Sequence, residues 1–148
     1  MSNTTLVKTF IIAASCETVW SFLTEKDKLA QWFHPSTEDL AEGKDYALVR
    51  EDENGKQIKQ CWGTVLTMEK PSRLVYSFTV GPLNGMTTVI WELEQIDGGT
   101  KLTLRHEGIE KAAGLAAMNI LSALDKGWDE HADSLRSQFS SNLESECH

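Results

Sequence analysis

"QIKQCWGTVLTMEKPSRLVYSFTV", Gln57 to Val80, is where the apolar period of this chain changes to two. At that period successive side chains point to opposite faces of an extended backbone. The stretch reads as two strands, "QIKQCWGTVLTME" and "RLVYSFTV", joined by the turn residues Lys70-Pro71-Ser72. "TTVIWELEQI" and "TKLTLRHEGI" continue the pattern, with Gly81-Pro82-Leu83-Asn84-Gly85 and Asp97-Gly98-Gly99 at the junctions. Consecutive strands with short turns make an antiparallel sheet. Alternation gathers Leu74/Tyr76/Phe78, Val89/Trp91/Leu93 and Leu102/Leu104/His106 on one face, and that face needs a cover.

The rest of the chain supplies it. Leu6 to Ile12 reads as a first strand, and Ser15 as the N-cap of a helix over "CETVWSFLTE". Thr18 stands where a capping box would have Glu or Gln, so a plain cap is expected. A second short helix, about Asp27 to Trp32, stops before His34-Pro35, because a residue preceding proline avoids the α region. The acidic stretch Glu38 to Glu53, with Gly43 and the Asn54-Gly55 hairpin signal, reads as a solvated edge. A long helix, roughly Leu115 to Leu143, carries Leu115, Met118, Leu121, Leu124, Trp128, Leu135 and Phe139 on its apolar side. It is the only segment long enough to cover the sheet. The expected fold is α+β: a curved antiparallel sheet wrapped around a long C-terminal helix, with two short helices after the first strand.

The 148 residues are about one domain's worth, with a core over 6–140 and a frayed tail over 141–148. A net charge of −8 without any Lys/Arg cluster speaks against nucleic acid and against anionic membrane surfaces. No run approaches 18 apolar residues, so no membrane span is expected. Cys16, Cys61 and Cys147 form neither a C-x-x-C pair nor a disulfide framework, and the N-terminus lacks a basic leader region. A cytoplasmic protein is expected.

Several stretches resemble the START-like superfamily and its helix-grip fold. The resemblance is strongest to the branch related to the C-terminal domain of the heat-shock-protein-90 ATPase activator. They are "AASCETVWSFLTEKDKLAQW", "GTVLTMEKPSRLVYSF", "GGTKLTLRHEG" and "GWDEHADSLRSQF", in that order, within residues 6 to 140. The resemblance implies a cavity between sheet and long helix, often holding an apolar or aromatic small molecule. Relatives of this kind include cyclases, dehydratases and carriers, so the fold alone does not fix the function.

"DKLAQWFHPS" sets Trp32, Phe33 and His34 side by side, a cluster that a one-sided core helix does not need. The resemblance places this segment near the cavity rim, so Trp32, Phe33 and His34 become candidate ligand contacts, with plain core packing as the alternative for Trp32. Trp62, Tyr76, Phe78, Met86, Trp91, Met118 and Trp128 are the other bulky candidates, and a solid core of the same residues fits almost as well. His106 follows Leu102 and Leu104 inward, either as a ligand donor or acid–base group, or as a histidine satisfied by the strand. Asn119 and Ser122 lie near the helix's apolar side as polar candidates, and Asp125 reads as the edge of the stripe.

No metal or cofactor is expected. In "WDEHAD", Asp129 and Asp133 share a face while His131 points elsewhere, and no Walker, dinucleotide or nucleophile-elbow motif occurs. The leading expectation is a binding protein for a small hydrophobic or aromatic molecule. The alternatives are a cyclase, dehydratase or hydrolase using His106, and a co-chaperone-like module. A chaperone partner is the weaker idea, since those activators carry a further N-terminal domain for which 148 residues leave no room. Pairing of two copies through an edge strand is a further possibility.

Overall fold

In a computed structural model of the protein, which describes residues 5–33, 36, 38–80, 86–108 and 117–146, the elements follow the expected order with one addition. They are β1 (Leu6–Ile12), α1 (Cys16–Thr24), α2 (Lys26–Trp32), β2 (Asp45–Glu51), β3 (Gln57–Glu69), β4 (Arg73–Val80), β5 (Thr87–Ile96), β6 (Gly99–Glu107) and α3 (Ala117–Glu146). The six strands form one antiparallel sheet in the order β1-β6-β5-β4-β3-β2. α3 packs on its inner face, giving the helix-grip arrangement.

The addition is β2, inside the stretch that reads as a solvated acidic edge. Its Tyr46, Leu48 and Val49 are buried, while Asp45 is exposed. β2 pairs with β3 through the Asn54-Gly55 hairpin, where Gly55 takes the positive φ of 79° that favours glycine. The registers show why the sheet curves. Leu48 faces Cys61 but Val49 faces Lys59, and Val65 faces Tyr76 but Thr67 faces Val75, so β3 carries an extra residue at Gln60 and another at Leu66. Each bulge bends the strand and increases its twist.

Registers also set the inner face as rows. Val65, Tyr76, Val89, His106 and Leu6 form one row across the sheet, and Leu74, Trp91, Leu104 and Lys8 form the next. Leu74, Val89, Leu102 and Leu104 are fully buried, and each contributes roughly 1.5–3 kcal/mol to stability. From α3, Trp128, Ala132 and Leu135 are buried at helical spacing, and Phe139 meets Phe22 of α1 edge-on at 5.0 Å.

The caps follow the sequence. Ser15 Oγ accepts from the Thr18 backbone N–H at 3.2 Å, a plain cap. At the sheet's β1 edge, Lys8 lies on the inner face and reaches Asp125 and Asp129 of α3 at 2.5 and 2.9 Å. Among the described residues, no helix is long and apolar enough to cross a membrane.

Candidate functional site

Where α2 ends, four ring side chains meet: Trp32 of α2, Phe33 just after it, and Trp128 and His131 of α3. Phe33 stacks on Trp32 at 5.1 Å and lies 4.6 Å from His131 and 5.4 Å from Trp128 of α3. Trp32 is buried and donates its indole N–H to the Phe22 carbonyl at 2.7 Å, which ties α2 to α1. Phe33 is only half-buried, so it borders the surface while Trp32 does not. Adjacent aromatic residues serve two ends of one ring assembly.

That assembly continues across the sheet. Trp91 of β5 meets Trp128 at 5.5 Å and Trp32 at 6.1 Å, both edge-on. Phe78 of β4 lies 5.9 Å from Trp128 and 5.2 Å from His106, and Tyr76 lies 5.1 Å from Tyr46. Edge-to-face geometry of this kind adds about 0.5–1.5 kcal/mol per pair beyond area burial. The rings therefore run without a break from the α2–α3 junction to β2.

Two sets of hydrogen bonds are embedded in the rings, the first a continuous chain and the second a pair of separate bonds. In the first, Trp128 Nε1 donates to His106 Nδ1 at 3.0 Å. An indole N–H can only donate, so Nδ1 is the acceptor and Nε2 carries the proton of the neutral ring. Nε2 lies 2.6 Å from Thr87 Oγ1, whose own proton goes to the Phe78 carbonyl at 2.7 Å. Burial lowers the His106 pKa from 6.5 to about 4, which keeps the imidazole neutral. This chain is closed, with a donor and an acceptor matched at every step from α3 to β4. In the second, Trp91 Nε1 donates to Tyr76 Oη at 2.9 Å, while Tyr46 Oη donates to the Ser77 carbonyl at 2.6 Å. Burial raises both phenols and pushes the neighbouring Cys61 thiol up to about 12, so all three stay neutral.

The candidate residues divide accordingly. Trp32, Phe33, Tyr76, Phe78, Trp91, His106 and Trp128 come together in one cluster. Trp62 does not: Cys61 and Val65 face inward, so alternation turns Trp62 to the other face, opposite Thr79. Met86 precedes the inward set Thr87/Val89/Trp91 by one residue and is 51% exposed. Ser122 sits six residues before Trp128, about 240° around the helix, and is exposed. His34 lies outside the described residues, as do the side chains of Met118 and Asn119. Asp125 is spent on Lys8, with Asp129 beside it, and Asp133 lies 3.9 Å from Arg136. Among the described residues no three His, Cys, Asp or Glu side chains converge as a metal site.

His131 is the member that sequence reasoning missed. It is half-buried against Phe33, with Nδ1 3.4 Å from the Trp32 carbonyl, and burial lowers its pKa. Its spacing of three from Trp128 carried the signal, but the acidic neighbours drew attention to metal chemistry instead. Two surface clefts bounded by described residues, of about 490 Å³ beside Cys16 and Pro71 and about 380 Å³ over Arg73 and Lys101, lie apart from the rings.

Known structures share this architecture. A protein from Rhodobacter sphaeroides is 26% identical over 95% of this chain and 94% of its own, with a TM-score of 0.74. CalU16 from Micromonospora echinospora is 24% identical over 88% of this chain and 73% of its own, with a TM-score of 0.69. DynU16, a protein of the dynemicin biosynthetic locus, is 20% identical with a TM-score of 0.73; the match covers 92% of this chain but 47% of DynU16. No curated protein matches the sequence. The family model described as Activator of Hsp90 ATPase homolog 1-like protein matches residues 13–140.

Proposed function

The chain belongs to the family of Activator of Hsp90 ATPase homolog 1-like proteins, and from that membership we propose that it binds a small hydrophobic or aromatic molecule between the curved sheet and α3. The observation that carries this reading is the unbroken ring assembly that starts at half-buried Phe33 and passes through Trp128 and Trp91 to Tyr76. Ring faces and edges of this kind suit an apolar planar guest, and a few fixed polar groups orient it. Phe33 and His131 form the approach, Trp32, Phe78, Trp91 and Trp128 the apolar wall. His106 serves the wall rather than the guest, since both of its ring nitrogens are engaged. The placement of a structural relative in a biosynthetic locus agrees with small-molecule work.

An enzyme of the cyclase, dehydratase or hydrolase kind would need His106 as its acid–base group. The closed chain from Trp128 to Phe78 favours no such use.

Native mass spectrometry of the freshly purified protein, followed by denaturation and identification of what is released, tests the proposal. The expected result is one apolar or aromatic molecule per chain, or, for protein purified empty, saturable quenching of tryptophan fluorescence by added aromatic compounds. An empty spectrum together with no quenching refutes it. Co-purification of a chaperone in place of a small molecule would turn the reading toward protein interaction.

A further inference from the structure

Tyr76 differs from the other hydroxyls of the ring assembly, Tyr46 and Thr87, whose protons go to carbonyls. Its oxygen accepts from Trp91 Nε1, yet no acceptor among the described residues takes its own O–H proton. The other phenol among the described residues, Tyr46, gives its proton to the Ser77 carbonyl, to which Tyr76 makes no bond. The His106 chain, by contrast, ends on the Phe78 carbonyl with nothing left over. A buried hydroxyl whose donor is unmade is costly to a fold, and Tyr76 is 4% exposed. The residue is also held firmly: it sits in the middle of the sheet between Val65 and Val89, with Trp91 fixing its oxygen.

We propose that Tyr76 is the orienting donor of the site, and that its ligand is an uncharged aromatic molecule presenting a carbonyl or ether oxygen to the Tyr76 O–H. This rests on the ligand-binding reading above and adds the polar feature its ligand must carry. The neutrality follows from the surroundings. Tyr46, Cys61, Phe78 and Trp91 flank the hydroxyl, none of them charged, and the inward-facing Lys8 is engaged by Asp125 and Asp129 one row away. An anion placed there would lose its water without gaining a counter-charge.

The test uses 9-fluorenone and fluorene, which differ by one carbonyl oxygen, with dissociation constants from equilibrium dialysis for wild type and Tyr76→Phe. The expected result is that the fluorene-to-fluorenone ratio of Kd values falls by about three- to tenfold in the variant. Taking the ratio cancels the different hydration of the two probes. In wild type, the infrared carbonyl band of bound fluorenone should lie below its position in hexane, and in the variant it should return. Equal ratios, or a wild-type band at the hexane position, overturn the role of Tyr76 and leave ligand binding standing. Failure of both probes to bind wild type overturns the two together. The wild-type band decides the matter alone if Tyr76→Phe does not fold.

Discussion

Acidification perturbs this fold through His106, a histidine held neutral with both ring nitrogens in use. Loss of hydration on burial lowers its pKa from 6.5 to about 4. Trp128 works in the same direction, because a protonated Nδ1 would point its N–H at the indole N–H. In the unfolded chain the imidazole returns to about 6.5. Between the two values the unfolded chain takes up a proton that the folded chain refuses. The stability contribution is thus whole above pH 6.5 and is lost as pH falls toward 4. Each pH unit inside that window costs up to about 1.4 kcal/mol. Moving from pH 7 to pH 5 therefore removes about 2 kcal/mol, or about 4–8 °C in Tm for a chain of this size. His131, lowered by its own burial, adds a loss of the same sign.

Urea denaturation followed by tryptophan fluorescence between pH 7 and pH 5 measures the loss, for wild type and for His106→Gln. Glutamine offers one acceptor and one donor but does not titrate, so the variant should lack the share of the acid loss that belongs to His106, about 2 kcal/mol. Imidazole NMR provides the direct check. An unchanged acid loss in the variant, or a His106 resonance that titrates near 6.5 in the folded protein, would refute the reasoning.

Lys8→Met removes the clamp between β1 and α3; both carboxylates are more than half exposed, so the expected cost is about 1 kcal/mol, and stability should become less sensitive to added salt than in wild type. Gly63→Ala drives a methyl group into the Ser77 carbonyl, the acceptor of Tyr46, and the cost by thermal denaturation should reach about 3 kcal/mol. A melting point within a degree of wild type would mean that β3 and β4 are not packed as described. Ser15→Ala deletes the α1 cap and should cost about 1 kcal/mol in the same assay; Ser15→Asp, which restores an acceptor, should regain most of it.

Much of the fold was legible because alternation and turn chemistry agree over β3 to β6. The inner-face triplets of β4, β5 and β6 are all buried, from Leu74 through to His106. β2 was not legible for a physical reason. Its inward Tyr46 and Leu48 are followed by Val49, which is also buried where the β3 bulge shifts the register, so the period of two fails within four residues. The acidic neighbours then dominated the reading. Bulges are a property of the pairing, and one strand read alone does not reveal them. The same limit explains Trp62: its size argued for the interior, but the face it occupies depends on which neighbour, Cys61 or Trp62, the sheet turns inward.

The pair Trp32-Phe33 shows why the site was harder to read than the fold. Neither residue is explained by its own helix, since α2 is seven residues long and ends at Trp32. Trp32 turns toward α1 and the sheet, through the Phe22 carbonyl and the edge of Trp91, while Phe33 turns toward α3. The cluster becomes intelligible only when α3 lies across it, and the depth of α3 is set in turn by the bond from Trp128 to His106. A hydrogen bond between helix and sheet specifies that depth more sharply than apolar packing does, because a slide of about 1 Å breaks it while ring contacts tolerate the change. The sequence left His106 open between a ligand or acid–base group and a histidine satisfied by the strand backbone, and its partners in the structure are the side chains of Trp128 and Thr87. His106 holds Trp128 against Phe33, Phe78 and Trp91, and Tyr76, two positions along the row with Val89 between, is the hydroxyl whose proton finds no acceptor among the described residues.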